Sequence, residues 1–195
     1  RPGALRSTIT RAAKRFDRAG VTFETVGPDR AEAALDQLAE LHDGRWGDES
    51  MFLDRWEQLR RAARSGMSTG DVQLAELRDD QGEVIASELD LRVGSSLAFY
   101  QAGRRTEREW RGCGSVLRSR IIGSAVADGV SEYDLLRGDE RYKADWATGR
   151  RELVRVRVGV GAVAVAALAA VQARASIEAR RQVSAEPDQQ VSPGA

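Results

Sequence analysis

Two periodicities of hydrophobic and polar positions divide the chain into predicted elements. Apolar residues that recur every three or four positions predict amphipathic helices over residues 5–18, 30–42, 52–64 and 115–128. Alternating apolar and polar residues predict strands over residues 21–26, 72–77, 83–93, 96–102, 132–136 and 153–158. This order of elements predicts an α+β fold, in which helices flank a mixed, mostly antiparallel sheet.

Very short connections separate the three central strands. The segment from Asp79 to Gly82 and the pair Gly94 and Ser95 consist of residues that favour tight turns. Such turns join neighbouring antiparallel strands, so we expect a meander. The alternation is broken near Leu89 and Asp90, where we expect an irregularity in the middle strand.

The C-terminal part of the chain differs in composition from the rest. An apolar run rich in Ala and Val begins at Gly159 and becomes charged after about Ala173. A membrane-spanning helix needs about 20 apolar residues, and this run is shorter. We therefore expect a globular domain over residues 1–158, an Ala-rich helix over 159–183 without stable membrane insertion, and a disordered tail over 184–195.

Composition and charge exclude several classes of function. The 195 residues include 30 basic and 30 acidic side chains, so no overall charge attracts DNA or an anionic membrane. One cysteine and one histidine are too few for a zinc site of the usual kind, and no metal is expected. A lone cysteine suits a reducing compartment, which predicts a cytoplasmic protein. Because the chain begins with Arg1 rather than Met, we expect that it follows an earlier segment.

Gly112 and Gly114 stand at the start of a predicted helix, in a zone of positive charge. Glycine lets the backbone approach a ligand closely, and the first N–H groups of a helix have no partner within it. Six arginines and two glutamates lie between Arg104 and Arg120, a local net charge of +4. This combination predicts a site for a phosphate-bearing ligand. The alternative is a plain turn with solvated arginines.

Three segments of the sequence resemble one family of proteins. They are H-D-G-R-W at 42–46, Y-Q-A-G at 100–103 and E-Y-D-L-L-R-G-D-E-R-Y-K-A-D-W at 132–146. With the order of elements, they resemble the GNAT acyltransferases, and among these the cellulose-biosynthesis-type, FemAB-like proteins of bacterial polysaccharide loci. The resemblance covers roughly residues 5–158. Proteins of that group usually carry tandem GNAT-like domains, and this chain looks like the second, without the N-terminal one.

The resemblance implies acetyl transfer from acetyl-CoA to an amine or hydroxyl of a small-molecule or saccharide acceptor, in polysaccharide or cell-envelope synthesis. In that family the coenzyme diphosphate binds a glycine loop and the helix after it. The matching residues here are Arg108, Arg111, Gly112, Cys113, Gly114, Ser115 and Val116. The usual signature has Gln or Arg three positions before the first glycine, where this chain has Glu109. We expect Cys113 to fit by its small size rather than to act as a nucleophile.

Candidates for catalysis follow the strand predicted over 132–136. Tyr142 lies where many GNAT enzymes place a tyrosine general acid, and its alternative role is packing against Trp146. Asp139 and Glu140 are candidates for the base or for orienting an amine. As loop carboxylates, they alternatively cap the short helix that follows them.

Candidates for acceptor binding come from two segments. His42, Arg45 and Trp46 lie at the end of a long predicted helix, where GNAT folds shape the acceptor site. A lone histidine in such a place is also commonly a structural residue. Arg137 and Lys143 are candidates for holding an anionic sugar or a carboxylate, or else for pairing with neighbouring carboxylates.

Two other functions stay open at the level of sequence. A FemAB-like enzyme would take its acyl group from an aminoacyl-tRNA, and its binding of tRNA would be sensitive to salt. A degenerate GNAT module would only bind a partner, and the missing Gln or Arg favours this alternative. Tight binding of acetyl-CoA separates an acetyltransferase from a degenerate module.

Overall fold

A computed structural model of the chain describes residues 2–47, 52–154, 156, 158 and 160–185. The chain divides into two compact units, Arg1–Arg150 and Arg151–Ala195. The first unit contains a five-stranded sheet and five of the α-helices, and the second contains one further helix. All residues that bear on function below belong to the first unit.

The sheet has its strands in the order in which they occur along the chain. They are β1 (Thr22–Thr25), β2 (Val72–Arg78), β3 (Val84–Val93), β4 (Ser96–Arg104) and β5 (Glu132–Asp134). Strands β1 to β4 pair antiparallel, as the short turns between β2, β3 and β4 require. Strand β5 pairs parallel to β4 after a helical crossover. The predicted mixed, mostly antiparallel sheet is confirmed.

Helices cover both faces of this sheet. They are α1 (Pro2–Arg18), α2 (Ala31–Trp46), α3 (Trp56–Thr69), α4 (Cys113–Ala127) and the single-turn α5 (Lys143–Trp146). Three short 3₁₀ turns precede helices in the described part of this unit, at Pro28–Arg30, Leu53–Arg55 and Arg108–Trp110. The predicted α+β class, with helices flanking the sheet, is confirmed.

The two helical layers enclose separate apolar cores because side chains of each strand alternate between the faces of the sheet. Helices α1 and α4 cover one face. Their core comprises Ala12, Phe16, Ala75, Leu77, Ile85, Ala86, Leu97, Cys113, Val116, Leu117, Ile121, Ala125 and Val130. Helices α2 and α3 cover the other face. That core comprises Val26, Ala31, Ala34, Leu35, Leu38, Ala63, Met67, Leu74 and Leu89.

Helices α2 and α3 are longer than the sequence pattern predicts. Helix α2 continues through Gly44 to Trp46, and α3 continues through Gly66 to Thr69. Glycine lowers helix propensity by only about 1 kcal/mol, which packing on the sheet compensates. Helix α3 ends where Gly70 takes the left-handed conformation, with a φ of 82°.

Two irregularities in β4 create a cleft. The register between β3 and β4 shifts between Leu89 and Asp90, near the predicted break. In addition, β4 and β5 pair only from Ser96 with Glu132 to Ala98 with Asp134. Beyond this point, called the apex below, no further pairing joins the two strands in the described residues. The backbone edge of β4 after Ala98 therefore faces open space.

The second unit contains α6 (Ala162–Ala185). Among the described residues, no helix is both long and apolar enough to cross a membrane. The strand predicted over 153–158 is wrong for the residues described there, since Leu153, Val154, Val156 and Val158 are exposed and lie outside any strand. Alternation alone does not supply the paired neighbour that a strand needs. Residues 184 and 185 of the predicted tail belong to α6, whereas Arg155, Arg157 and the rest of the tail, from residue 186 onward, lie outside the described residues.

Candidate active site

A large cleft opens between β4 and the chain that follows β5. Its volume is about 1530 Å³. Residues 99–104 of β4 line one side, residues 135–137 line the other, and the N-terminus of α4 lies at one end. Ligand pockets usually measure about 300–1,000 Å³, so this cleft has room for two ligands side by side.

The N-terminus of α4 forms one end of the cleft. Gly112 is the residue before the helix, and its φ of 92° is accessible without strain only to glycine. The first hydrogen bond within the helix runs from the Val116 N–H to the Gly112 carbonyl, at 3.0 Å. The amides of Cys113, Gly114 and Ser115 precede that bond, so they are the ones that a helix N-terminus offers to an anion.

Arginines line the cleft beside this helix end. Arg108 and Arg111, both predicted for diphosphate, lie at its rim and are exposed. Arg104, at the end of β4, packs against the helix start, because a Cβ on Gly114 would lie 3.2 Å from its Cδ. Burial and the positive charge of Arg104 lower the pKa of Arg45, which also lines the cleft. The helix amides and the arginines at this end of the cleft therefore suit a multiply charged anion.

Two residues of the predicted diphosphate loop point away from the cleft. Cys113 is fully buried, with its Sγ 3.7 Å from the Ile85 carbonyl oxygen, and burial raises the pKa of its thiol. Val116 lies in the same apolar core, and its amide is used within the helix. A buried thiol of raised pKa is a poor nucleophile, so the geometry agrees with a packing role for Cys113.

The opposite wall of the cleft is formed by residues 135–146, called the wall segment below. It starts in a tight bend in which Leu136 adopts a φ of 57° and Gly138 a φ of 123°. The Asp134 carboxylate stabilises this bend by accepting a hydrogen bond from the Leu136 amide at 2.7 Å. Arg137, Glu140, Tyr142 and Lys143 all line the cleft.

The predicted catalytic carboxylates have salt-bridge partners. Asp139 pairs with Arg150 and does not line the cleft. Glu140 pairs with Lys143 at 2.9 Å, and this hydrogen bond lowers the pKa of Glu140. Lys143 Nζ also donates to the Arg137 carbonyl oxygen at 2.7 Å. Structural pairing is therefore observed for Glu140 and Lys143, whereas Tyr142 presents a partly exposed ring to the cleft.

His42 and Arg45 line the cleft from the last turns of α2. The His42 ring is buried, and its Nδ1 lies 3.4 Å from the Ala102 carbonyl oxygen of β4. The ring centroid lies 4.7 Å from that of Phe52. Burial lowers the pKa of His42, so the imidazole is neutral at pH 7. The side chain of Trp46 lies outside the described part of the structure.

Comparison with known proteins assigns the family. The sequence matches the family model of the acetyltransferase (GNAT) domain over residues 3–144, more than half of the chain. The chain belongs to the GNAT acetyltransferase family. The comparison with curated proteins finds no match.

Solved structures with this GNAT fold are similar at low sequence identity. One is an aminoglycoside acetyltransferase from an uncultured soil metagenomic sample in complex with sisomicin, with a TM-score of 0.54, 11% identity, and 75% of this chain and 99% of that one covered. The same enzyme in complex with trehalose gives a TM-score of 0.51 at 11% identity, covering 72% of this chain and 97% of that one.

A predicted acetyltransferase from Clostridium acetobutylicum with acetyl-CoA has a TM-score of 0.53 and 10% identity, covering 70% of this chain and 96% of that one. At such identities the likeness shows the fold alone. With the family match, it makes this chain an acetyltransferase whose acetyl donor is acetyl-CoA.

The residues of the cleft fit this donor. A helix N-terminus without a side-chain cap and three arginines at one end (Arg104, Arg108 and Arg111) suit the coenzyme phosphates. No group of three or more His, Cys, Asp or Glu residues is placed to hold a metal in the described residues. Glu109, the departure from the family signature, does not line the cleft, whereas Arg104 does.

The sequence analysis missed a buried polar cluster at the apex. Arg118 of α4 pairs with Glu88 of β3, with Nη2 to Oε2 at 2.9 Å and Nε to Oε1 at 3.3 Å. The hydroxyl oxygen of Tyr133 lies 2.6 Å from Glu88 Oε1 and 3.0 Å from Asp90 Oδ1. Glu88 and Asp90 lie two positions apart in a strand that the sequence pattern places in the sheet, so both point to the same face. Two charged residues on one covered face of a strand were the signal that could have revealed this cluster.

Proposed function

We propose that this GNAT acetyltransferase transfers the acetyl group of acetyl-CoA to an amine or hydroxyl of a saccharide acceptor. The observation that supports this most is one continuous cleft with two chemically different ends. One end offers helix amides and arginines, and the other offers aromatic rings, hydroxyls and paired charges. The resemblance of residues 132–146 further supports the cellulose-biosynthesis-type, FemAB-like branch, with its link to polysaccharide or cell-envelope synthesis.

The donor is proposed to bind at the start of α4. The amides of Cys113, Gly114 and Ser115 would receive the diphosphate, and Arg108 and Arg111 would supply charge, as the resemblance implies. Arg104 replaces the cation that is missing at Glu109, because its side chain lies against Gly114 at this helix end. Bound there, acetyl-CoA supplies the activated thioester for the transfer.

Tyr142 is the proposed general acid. Its ring is 40% exposed and lines the cleft, so its hydroxyl is accessible to a leaving group. It also packs near Arg118, with the guanidinium carbon 5.5 Å from the ring centroid. A fixed ring with an accessible hydroxyl suits proton donation, so the two roles that the sequence left open are compatible.

Glu140 is proposed to orient the acceptor rather than to act as the base. The hydrogen bond from Lys143 lowers the pKa of Glu140, which makes its carboxylate a weaker proton acceptor. Asp139 is proposed to stabilise the bend of the wall segment through Arg150. Arg137, at the rim, remains the candidate for an anionic group of the acceptor.

The acceptor class is inferred from the composition of the cleft. Among the described residues, five aromatic side chains line it, and rings of this kind offer flat apolar faces to sugars: Phe52, Phe99, Tyr100, Tyr142 and Trp146. Sisomicin and trehalose, bound by a structural neighbour, are both saccharides. Seven cationic side chains and four carboxylates line this cleft, which favours a neutral or acidic saccharide over a polycationic one.

Two further expectations, a preceding domain and a cellular location, belong to this proposal. The resemblance supports a preceding GNAT-like domain that would complete the acceptor side of the cleft. The single cysteine, kept as a thiol, supports a cytoplasmic location.

Acetyl transfer to a panel of acceptors tests the proposal. The purified chain is incubated with acetyl-CoA and trehalose, glucuronic acid, glucosamine or sisomicin, and acetylated products are measured by mass spectrometry. We expect product with a neutral or acidic sugar and slower turnover of sisomicin. Fastest turnover of sisomicin would refute the preference for a neutral or acidic saccharide. Absence of acetyl-CoA binding would refute the function itself.

A further inference from the structure

Four side chains form a buried polar network at the apex of the cleft, called the apex network below. Its members are Glu88, Asp90, Arg118 and Tyr133. Glu88, Asp90 and Arg118 are almost completely buried, with exposed fractions of 1%, 0% and 7%. Burying charged groups is expensive unless they are paired, so the geometry of this network is closely constrained.

Glu88 holds the guanidinium of Arg118 through two contacts on one side. The pair has two parallel N–H to oxygen contacts, at 2.9 and 3.3 Å, which is the fork geometry that only arginine provides. Although burial opposes its charge, Glu88 raises the pKa of Arg118. Arg118 is therefore a permanent cation that cannot rotate away without leaving Glu88 unpaired.

Glu88 is itself held by the Tyr133 hydroxyl. The Tyr133 hydroxyl has one hydrogen but lies within hydrogen-bond distance of both Glu88 and Asp90. Both contacts are satisfied when Asp90 is a neutral acid that donates to the Tyr133 oxygen, while Tyr133 donates to Glu88. The other oxygen of Asp90, Oδ2, is buried without a partner, which a neutral acid tolerates better than a carboxylate.

The outer side of Arg118 faces three aromatic rings. Its guanidinium carbon lies 4.1 Å from the ring centroid of Phe99, 5.5 Å from that of Tyr142 and 5.9 Å from that of Trp146. These distances are in the range of cation–π attraction. Phe99 belongs to β4, whereas Tyr142 and Trp146 belong to the wall segment. One guanidinium thus contacts both sides of the cleft just beyond the apex.

Three polar contacts of the wall segment join residues that lie near one another in sequence. Lys143 bonds Glu140 and the Arg137 carbonyl, and Asp139 pairs with Arg150. These contacts shape the segment but do not tie it to the sheet. The contact with Arg118 does so, because Glu88 belongs to the central strand β3.

We propose that Arg118 is the positioning residue of the acceptor site, and that it holds Tyr142 and Trp146 of the wall segment against the sheet while the rest of the apex network holds Arg118. The acceptor part of this statement rests on the proposed function. The positioning of the wall segment does not, so the two are tested separately.

Hydrogen exchange in the chain without ligands tests the positioning. Arg118→Lys keeps the charge but loses the fork and the flat face that stacks on rings. Arg120→Lys is the matched control, because Arg120 lies on the same helix in an exposed ion pair with Asp17. We expect amides 135–146 to exchange about tenfold faster in R118K, with those of β2 unchanged and no effect in R120K.

A second variant keeps the test decisive if R118K does not fold. Arg118→Met with Glu88→Gln removes both charges and leaves no unpaired ion, and we expect the same selective increase in exchange. Exchange of the wall segment within about twofold of wild type in a folded variant would overturn the proposal. An equal increase in β2 and the wall segment would also overturn it, because that result shows only a loss of global stability.

Steady-state kinetics test the role of Arg118 in acceptor binding separately from its role in positioning the wall segment. With the fastest acceptor of the panel above, R118K is expected to raise the acceptor KM about tenfold and to leave the Kd of acetyl-CoA within about twofold. Equal weakening of both substrates would contradict a role in positioning the acceptor side. If no acceptor of the panel is turned over, the proposed function fails, and the exchange experiment alone decides on the wall segment.

Discussion

The hydroxyl oxygen of Tyr133 lies 3.0 Å from Oδ1 of Asp90, and Asp90 is completely buried. Burial raises the pKa of Asp90 well above its ordinary value, and the negative charge of Glu88 raises it further. Glu88 also has a pKa raised by burial, but Arg118 opposes that shift. Of the two carboxyl groups, Asp90 is therefore the one that keeps its proton to the higher pH.

A retained proton on Asp90 makes stability depend on pH in a specific direction. Above the ordinary pKa of 3.8, the unfolded chain loses this proton while the folded chain keeps it. The unfolded state then binds fewer protons, so the contribution of Asp90 to stability falls as the pH rises to the folded-state pKa. In the variant Asp90→Asn the side chain at this position is neutral at every pH, so its stability does not fall in this way as the pH rises.

We therefore expect the stability of D90N relative to wild type to increase by about 1.4 kcal/mol per pH unit from about pH 4 to the folded-state pKa of Asp90. Urea unfolding at a series of pH values measures it. Asp54→Asn, at an exposed position, is the control for replacing a carboxyl group by an amide. A pH-independent difference between D90N and wild type would mean that Asp90 is ionised in the folded chain.

Gly112 and Gly123 belong to the same helical region but should respond oppositely to alanine. At Gly112 the φ of 92° strains any side chain, and a Cβ would lie 3.3 Å from the Cβ of Ala12. Gly112→Ala should cost about 1–2 kcal/mol. Gly123 is exposed inside α4 with open space around it, so Gly123→Ala should stabilise by about 0.5–1 kcal/mol. Thermal unfolding of both variants checks the signs, and stabilisation by G112A would contradict the backbone assignment.

Cys113 is expected to be dispensable for chemistry. Its side chain is fully buried in the apolar core and burial raises the pKa of its thiol. Cys113→Ala should keep acetyl transfer within about threefold of wild type and cost about 1 kcal/mol of stability. A thiol reagent should label wild type only after unfolding. Loss of activity in folded C113A, with labelling of the native thiol, would instead indicate a nucleophile.

Tyr142 and Glu140 should differ sharply in their effects on turnover. If Tyr142 donates a proton, Tyr142→Phe should lower kcat by about 10²-fold while the ring still packs near Arg118. Glu140→Gln should change kcat by less than about fivefold, because the paired carboxylate is a poor base. Tyr100→Phe, on another ring that lines the cleft, is the control. A normal kcat in Y142F would remove Tyr142 from the chemistry.

Much of the fold was predictable because periodicity records burial directly. The four-residue spacing of Leu117, Ile121 and Ala125 places apolar side chains on the face of α4 that is indeed covered. The strand predicted over 153–158 fails where it is described because a strand also depends on a neighbour, which its own sequence does not specify.

The candidate site was less predictable because it depends on tertiary contacts. The glycine loop is a local signal, and it does precede a helix, at whose start Gly112, Gly114 and Ser115 line the cleft. Arg118, by contrast, lies in a run of arginines that looks like a solvated face. Only the register of β3 brings Glu88 beneath it. The pairing of Glu140 with Lys143, three residues apart, was one of the two roles that the sequence left open for Lys143.

Calorimetric titration of acetyl-CoA measures whether acetyl-CoA binds in the cleft with its phosphates at the start of α4. Gly114→Val places a branched side chain beside Arg104 at this helix end, and Gly123→Val places the same side chain on an exposed position of the same helix. We expect binding by wild type, affinity weakened at least about tenfold in folded G114V, and affinity within about twofold of wild type in G123V. Binding of acetyl-CoA by G114V as tight as by wild type, or no binding by wild type at all, would contradict this mode of binding.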